Sequence, residues 1–201
     1  MSEVADAVAA VRAGGLVVLP TDTVYGLACS PYREGSVRTL SELKRRKAEQ
    51  PIALLAASVD ELLECVPELR GRSAVIVRAL LPGPYTLVLP NPARRFPWLA
   101  GDRPEAIGVR VPELTGLARD LLDEVRALAA TSANLHGGTD PRRLEDVPEE
   151  LLEHVVALDG GALPGRPSTV LDLTGPEARV LREGAVAAAD ALARIEVVRG
   201  E

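Results

Sequence analysis

The chain has 201 residues, 47% of them hydrophobic, and a formal net charge of −6. That length supports a sizeable core in one domain spanning 1–201, and the acidic balance argues against a protein whose whole surface coats nucleic acid, although a local basic groove stays open. Apolar runs all fall short of the roughly 18 residues of a membrane span, and "MSEVADAVAAVRAGG" is acidic where a signal peptide is basic, so a cytoplasmic protein without membrane contact is expected.

In chain order, "SEVADAVAAVRAGG" reads as a helix capped by Ser2, with Val4, Val8 and Val11 on one face and Gly14-Gly15 ending it. "GLVVLP" follows as a buried strand and "VYGLAC" as a second, where Gly26 admits another backbone or a ligand. "EGSVRTLSELKRRK" is helical by the spacing of Val37, Leu40 and Leu43 and delivers Lys44 to Lys47 at its end; "PIALLAA" is a strand. "SVDELLECV" and "RSAVIVRALL" are helical, and "PGP" stops the second before the strand "YTLVLP". Residues 91–105 form a loop, "AIGVRVP" a strand, "TGLARDLLDEV" a helix and "ALAATSAN" a strand entering a polar turn. A mostly helical stretch then runs to about His154, "VVALDGG", "STVLDLTG" and "ARVLRE" are short strands, and the tail gives a helix and a last strand. Helices and strands alternate imperfectly, which predicts an α/β (α+β) chain built on a mixed sheet.

Polar clusters recur at strand ends, where open α/β sheets place their ligands. "KRRK" reads either as a solvated helix end or as a phosphate clamp presenting Lys44 and Arg46. "TSAN" is either a self-satisfied turn or, through Ser132 and Asn134, a set of donors and acceptors for a sugar or phosphate. "GGALPGRPS" nearly matches a phosphate-binding loop, but Arg166 stands in the lysine position and Pro167 removes an N–H that such a loop needs. Arg110 inside an apolar strand calls for a partner, either a core salt bridge or a substrate carboxylate. Cys29 and Cys65 have no CxxC spacing and are expected as buried free thiols, and no nucleophile pairs with His136 or His154. Positioning of anionic reactants suits these residues better than covalent or acid–base chemistry.

Taken together and in order, "PTDTVYGL", "KRRK" with "PIALL", "LPGPYTLVL", "IGVRVP", "TSANLHG", "DGG" with "GRPSTVLDLTG", and "VLREGAV" resemble the YrdC/TsaC-like L-threonylcarbamoyladenylate synthases from about Ala5 to Val186. The resemblance implies a YrdC/RibB-like twisted mixed sheet with flanking helices and a large concave cleft. It implies a nucleotidyltransferase that joins L-threonine, bicarbonate and ATP into threonylcarbamoyl-AMP and pyrophosphate. ATP is then a substrate, with Mg2+ expected beside it. Partners would be threonylcarbamoyl-transfer proteins acting on tRNA, and the resemblance also allows direct contact with tRNA or double-stranded RNA. By similarity, Lys44, Arg46, Ser132, Asn134 and Arg182 are the ATP contacts, and Thr21, Thr23, Arg110 and Ser168 face threonine, Arg110 pairing its carboxylate. Strand alternation would then place Thr21 and Thr23 on one side and leave Asp22, on the other, a structural role.

The chain departs from the family pattern at Lys47, Gln50, His136 and Glu183, all beside expected phosphate contacts. Two other readings compete. One is a YciO-like paralogue that binds double-stranded RNA or tRNA without synthase activity, by shape and phosphate because aromatic residues for stacking are few. The other is a related enzyme of sugar phosphates, which would need acidic metal ligands in the cleft.

Overall fold

The computed structural model describes residues 2–47 and 49–199. Among them are seven helices: α1 (Glu3–Ala13), α2 (Glu34–Leu43), α3 (Val59–Cys65), α4 (Arg72–Leu80), α5 (Gly116–Val125), α6 (Glu149–Leu152) and α7 (Ala188–Arg199). Nine strands accompany them: β1 (Leu16–Leu19), β2 (Gly26–Cys29), β3 (Ala53–Ala56), β4 (Tyr85–Pro90), β5 (Ala106–Arg110), β6 (Ala127–Ser132), β7 (Val155–Ala157), β8 (Thr169–Asp172) and β9 (Arg179–Arg182). The expected caps of α1 are present: Ser2 Oγ accepts the Ala5 N–H at 3.3 Å, and Gly14 takes the left-handed conformation, φ 93°, that turns the chain into β1.

The strands form one mixed sheet in the order β7-β1-β2-β6-β3-β5-β4-β8-β9, with parallel pairs at β1/β7, β3/β5 and β4/β8. Period-two alternation divides their side chains between two faces. On one face Leu16, Val18, Leu27, Leu54, Leu87, Ile107 and Val109 join residues of α2, α3, α4 and α7 in the larger core. On the opposite face Val17, Leu19, Ala28, Leu128 and Ala130 pack under α1 and α5. Farther along that second face the strands turn small or polar side chains outward, among them Thr86 and Val88 of β4 and Ala106, Gly108 and Arg110 of β5. A cleft lies over this half of the sheet.

Two stretches differ from expectation. Residues 133–154 are mostly irregular, with a 3-10 turn at Leu144–Asp146 and the four-residue α6, because Gly137, Gly138, Pro141 and Pro148 interrupt any longer helix. The tail stays helical through Arg199 and, among the described residues, contributes no last strand, since Ala191 and Ile195 bury a helical face in the larger core.

Candidate active site

The cleft has a volume of about 330 Å³. Register explains why distant segments meet there. Leu19 pairs with Gly26 and Gly26 with Ser132, so the end of β1, the start of β2 and the end of β6 share one edge of the sheet. Leu55 of β3 pairs with Arg110 of β5, and Thr86 of β4 with Val170 of β8, which carries the floor across to Ser168.

The first wall is the turn between β1 and β2. The Thr21 hydroxyl donates to the Val24 carbonyl at 2.7 Å and accepts the N–H groups of Thr23 and Val24 at 3.2 and 3.3 Å, a hydroxyl-closed turn. Thr21 and Thr23 Oγ1 lie 2.9 Å apart. The two hydroxyls do converge, but through this turn and not through strand alternation, because residues 20–25 lie outside β1 and β2. Asp22 does not point away either. It pairs with the Arg110 guanidinium, which also donates to Thr23 Oγ1 at 2.8 Å. Both side chains of the pair are 10% exposed, and the Arg110 Nε is buried without a partner. Burial lowers the Arg110 pKa, Asp22 raises it, and the like charge of Arg182 lowers it further. Tyr25 takes no part in the cleft: its buried hydroxyl sits 2.9 Å from Asp159 Oδ1 and closes the "DGG" turn.

The second wall forms where α2 ends. Lys44 terminates the helix and Arg45 adopts a left-handed φ of 54°, so the "KRRK" side chains diverge. Arg45 turns outward to Glu150, whereas Arg46 lines the cleft, its Nη1 donating to Thr131 Oγ1 at 2.7 Å and its Nη2 to the Pro51 carbonyl at 2.9 Å. The Arg46 Nε is buried with no acceptor, and burial lowers its pKa. Lys44 is 2% exposed and does not line the cleft. Its ammonium reaches the Ser132 carbonyl, the Asn134 carbonyl at 2.5 Å and Asn134 Oδ1 at 2.9 Å. Asn134 Oδ1 also accepts the Ser132 hydroxyl at 2.8 Å, and Asn134 Nδ2 donates to the Gly138 carbonyl at 2.6 Å. Lys44 and Asn134 thus hold the turn that presents Ser132 from behind.

Ser168 and Arg182 close the far side. Arg182 donates through Nε and Nη2 to the Ser168 carbonyl at 3.1 and 3.0 Å, and Thr86 Oγ1 lies 2.8 Å from Ser168 Oγ. Gly184 permits this closure, because a Cβ there would collide with the Pro167 carbonyl. The "GGALPGRPS" segment cradles nothing with its backbone at Gly165, whose N–H goes to the Thr23 carbonyl at 2.8 Å.

Seven of the nine expected site residues line one cleft: Thr21, Thr23, Arg46, Arg110, Ser132, Ser168 and Arg182. Lys44 and Asn134 stand behind its wall. Sequence reasoning missed Asp22 as the Arg110 partner and missed the floor residue Thr86, which the alternation of "YTLVLP" places opposite the buried Tyr85, Leu87 and Leu89. It also missed Asp102 and Asp140 on the rim, which no periodicity marks. Of the departures, Glu183 is exposed and outside the cleft lining, and the His136 N–H donates to the Lys44 carbonyl at 3.1 Å, tying the two loops together. Cys65, expected as a buried thiol, is only half-buried, whereas Cys29 is buried.

Known proteins resemble this chain along most of its length. A threonylcarbamoyl-AMP synthase of Stenotrophomonas maltophilia is 35% identical over 178 residues, covering 83% of this chain and 91% of that protein. One of Vibrio campbellii is 32% identical over 179 residues, covering 87% and 95%. The crystal structure of P. abyssi Sua5 complexed with L-threonine superposes with a TM-score of 0.86 at 32% identity over all of this chain, which spans 59% of that longer one. E. coli YciO superposes at 0.81 with 26% identity, covering 94% and 92%. The model of the Sua5_yciO_yrdC family, described as "Telomere recombination", matches residues 9–184. As the ordered sequence blocks predicted, the chain belongs to the Sua5/YciO/YrdC family.

Proposed function

We propose that this protein is a threonylcarbamoyl-AMP synthase, a nucleotidyltransferase that consumes L-threonine, bicarbonate and ATP and releases threonylcarbamoyl-AMP, pyrophosphate and water. The observation that carries the reading is the cleft: the buried Arg110 and the half-buried Arg46, each with a buried, unpartnered Nε, and Arg182 converge with the hydroxyls of Thr21, Thr23, Ser132 and Ser168. The names of the bacterial relatives and the threonine complex of P. abyssi Sua5 support the same reading.

The chemistry asks the cleft to bring two anions together. Bicarbonate takes up a proton and loses water to give CO2, the neutral threonine amine adds to the CO2 carbon and releases a proton to form a carbamate, a carbamate oxygen attacks the α-phosphorus of ATP, and pyrophosphate leaves in line. Arg46, Ser132 and Arg182 bind the phosphates, with Lys44 and Asn134 fixing Ser132. Arg110 and Thr23 take the threonine carboxylate, and Thr21 and Ser168 flank it. These donors are aimed before the reaction starts, so charge developing on the leaving group meets fixed dipoles and not reorganising water. Among the described residues no cluster of three metal-ligating side chains exists. A Mg2+ would therefore be held mainly by the ATP phosphates, with Asp102 or Asp140 of the rim as its protein ligand, and would neutralise pyrophosphate charge.

Transfer proteins that act on tRNA would consume the product, and a cytoplasmic setting fits that role. Among the described residues no helix is long and apolar enough to cross a membrane. The test is pyrophosphate release from ATP by the purified protein. Release that requires both L-threonine and bicarbonate is expected; release indifferent to either, or none, overturns the proposal.

A further inference from the structure

A second hollow, of about 630 Å³, shares no lining residue with the cleft. It sits at the opposite end of β6: Ser132 borders the cleft, while Arg126, just before Ala127, borders the hollow. At ~3.3 Å per strand residue the two ends lie about 20 Å apart.

Its construction is unusual for this chain in three independent ways. Only five residues are aromatic, and three of them, Tyr32, Phe96 and Trp98, line it. The rings are inclined and unstacked: Tyr32 and Phe96 at 59° with centroids 5.6 Å apart, Phe96 and Trp98 at 83° and 6.5 Å. Of the four non-glycine residues with left-handed φ among the described residues, Phe96 (49°) and Arg126 (70°) line it and Arg94 (49°) adjoins it in the chain. Bulky side chains adopt that conformation only where the surroundings impose it, and such strain gathers at functional sites. The imposing contacts are present. The fully buried Asn91 side chain clasps the loop, donating to the Arg95 carbonyl and accepting the Arg95 N–H, both at 2.9 Å, and the Trp98 indole N–H donates to the Pro31 carbonyl at 2.8 Å.

Charge then selects the occupant. Arg95 is forked onto Glu68 at 2.6 and 2.7 Å, and Arg126 pairs with Glu61. Exposed Glu64, also in the lining, has no ion-pair partner among the described residues. One unmatched carboxylate beside three inclined aromatic rings favours a cation, whereas a phosphate would have to strip both arginines from their carboxylates. We propose that this hollow is a docking site for a basic segment of a partner protein, which inserts an arginine or lysine side chain among Tyr32, Phe96 and Trp98 and pairs it with Glu64. The partner would then sit one loop away from the cleft, since residues 96–103 carry Phe96 and Trp98 to the hollow and Ala100, Asp102 and Arg103 to the cleft.

Trp98 is the only tryptophan of the chain, so its emission reports on this hollow alone. The full-length protein is titrated with a capped pentapeptide containing three arginines and with the same peptide carrying citrulline, an uncharged isostere. A saturable emission change with a midpoint below ~1 mM is expected for the arginine peptide only. Glu64→Gln and Tyr32→Ala should each raise that midpoint roughly fivefold or more, with the far-UV circular dichroism and the pyrophosphate release of the unmodified protein retained. No saturable change up to ~10 mM, equal binding of the citrulline peptide, or a midpoint unmoved by Glu64→Gln overturns the proposal. So does a dimer in sedimentation that Tyr32→Ala dissolves, which would give the hollow to a second copy of the chain.

Discussion

The two arginine-bearing walls of the cleft are built on opposite rules. Arg46 donates only to neutral oxygens, those of Thr131 and Pro51, and has no carboxylate partner among the described residues; the Lys44 amine lies behind it. Arg110 is locked to Asp22 and Thr23, so its charge is largely cancelled inside the wall. A cation without a carboxylate partner attracts any polyanion at a distance, whereas an interlocked pair admits only an anion that fits well enough to share the guanidinium with its resident carboxylate. On the proposed function, the Arg46 wall would supply affinity for phosphates and the Arg110 wall would discriminate between small carboxylates.

If so, the two arginines should fail differently when removed. Arg110→Leu leaves Asp22 nearly buried and unpaired, and the expected loss is about 3–5 kcal/mol of unfolding free energy in denaturant titration. Adding Asp22→Asn should recover a large part of it. A single-variant loss below ~1 kcal/mol would mean that the pair is not interlocked. Arg46→Ala removes no carboxylate's partner, so its effect should appear in catalysis: kcat/KM for ATP falls about 100-fold, ~3 kcal/mol, with a far smaller change in stability. If Arg46→Ala instead matches the stability loss of Arg110→Leu at unaltered kcat/KM, the contrast between the walls is wrong.

Lys44 sharpens the description of the phosphate wall. Burial, reinforced by the like charge of Arg46 and opposed by Asp140, brings its amine down from 10.5 to about 7. Three oxygens around Nζ, however, call for an ammonium with three hydrogens. With a lowered pKa the unfolded chain binds more protons than the folded one between about pH 7 and 10.5. The stability contribution of Lys44 should therefore rise with pH across that window by at most ~1.4 kcal/mol per unit, and should be flat below it, where both states are charged. The unfolding free-energy difference between the unmodified protein and Lys44→Met, followed from pH 6 to 9, tests the sign. A difference that stays level throughout means that the three oxygens keep the ammonium charged.

Much of this was legible in the sequence because it follows from periodicity. The strand "AIGVR" buries Ile107 and Val109 and turns Ala106, Gly108 and Arg110 to the other face, so both the cleft floor and the placement of Arg110 follow from alternation. The order of polar blocks identified the family, and seven of nine expected residues meet in one cleft. What escaped depends on turn geometry and long-range pairing. Asp22 reaches Arg110 because the Thr21 hydroxyl closes a turn that alternation does not describe. Lys44 points behind the wall because α2 ends at Leu43 and the chain reverses hand at Arg45. The aromatic hollow assembles residues 32, 96 and 98 from distant segments, and no local pattern in "NPARRFPW" announces it.

The smallest expected effect tests the discriminating wall most selectively. The Thr23 hydroxyl stands between Thr21 Oγ1 and the Arg110 guanidinium, at 2.9 and 2.8 Å. Thr23→Val keeps the shape, leaves the Arg110–Asp22 pair intact and removes one neutral acceptor, so the unfolding free energy should drop by only ~1 kcal/mol. Without that acceptor the guanidinium is less firmly aimed, and the KM for L-threonine should rise roughly fivefold while the KM for ATP stays within about twofold. An unchanged KM for threonine removes the turn from the substrate site. A rise shared equally by threonine and ATP is more damaging, because it means that the two walls answer to each other and that affinity and discrimination are not separable within this cleft.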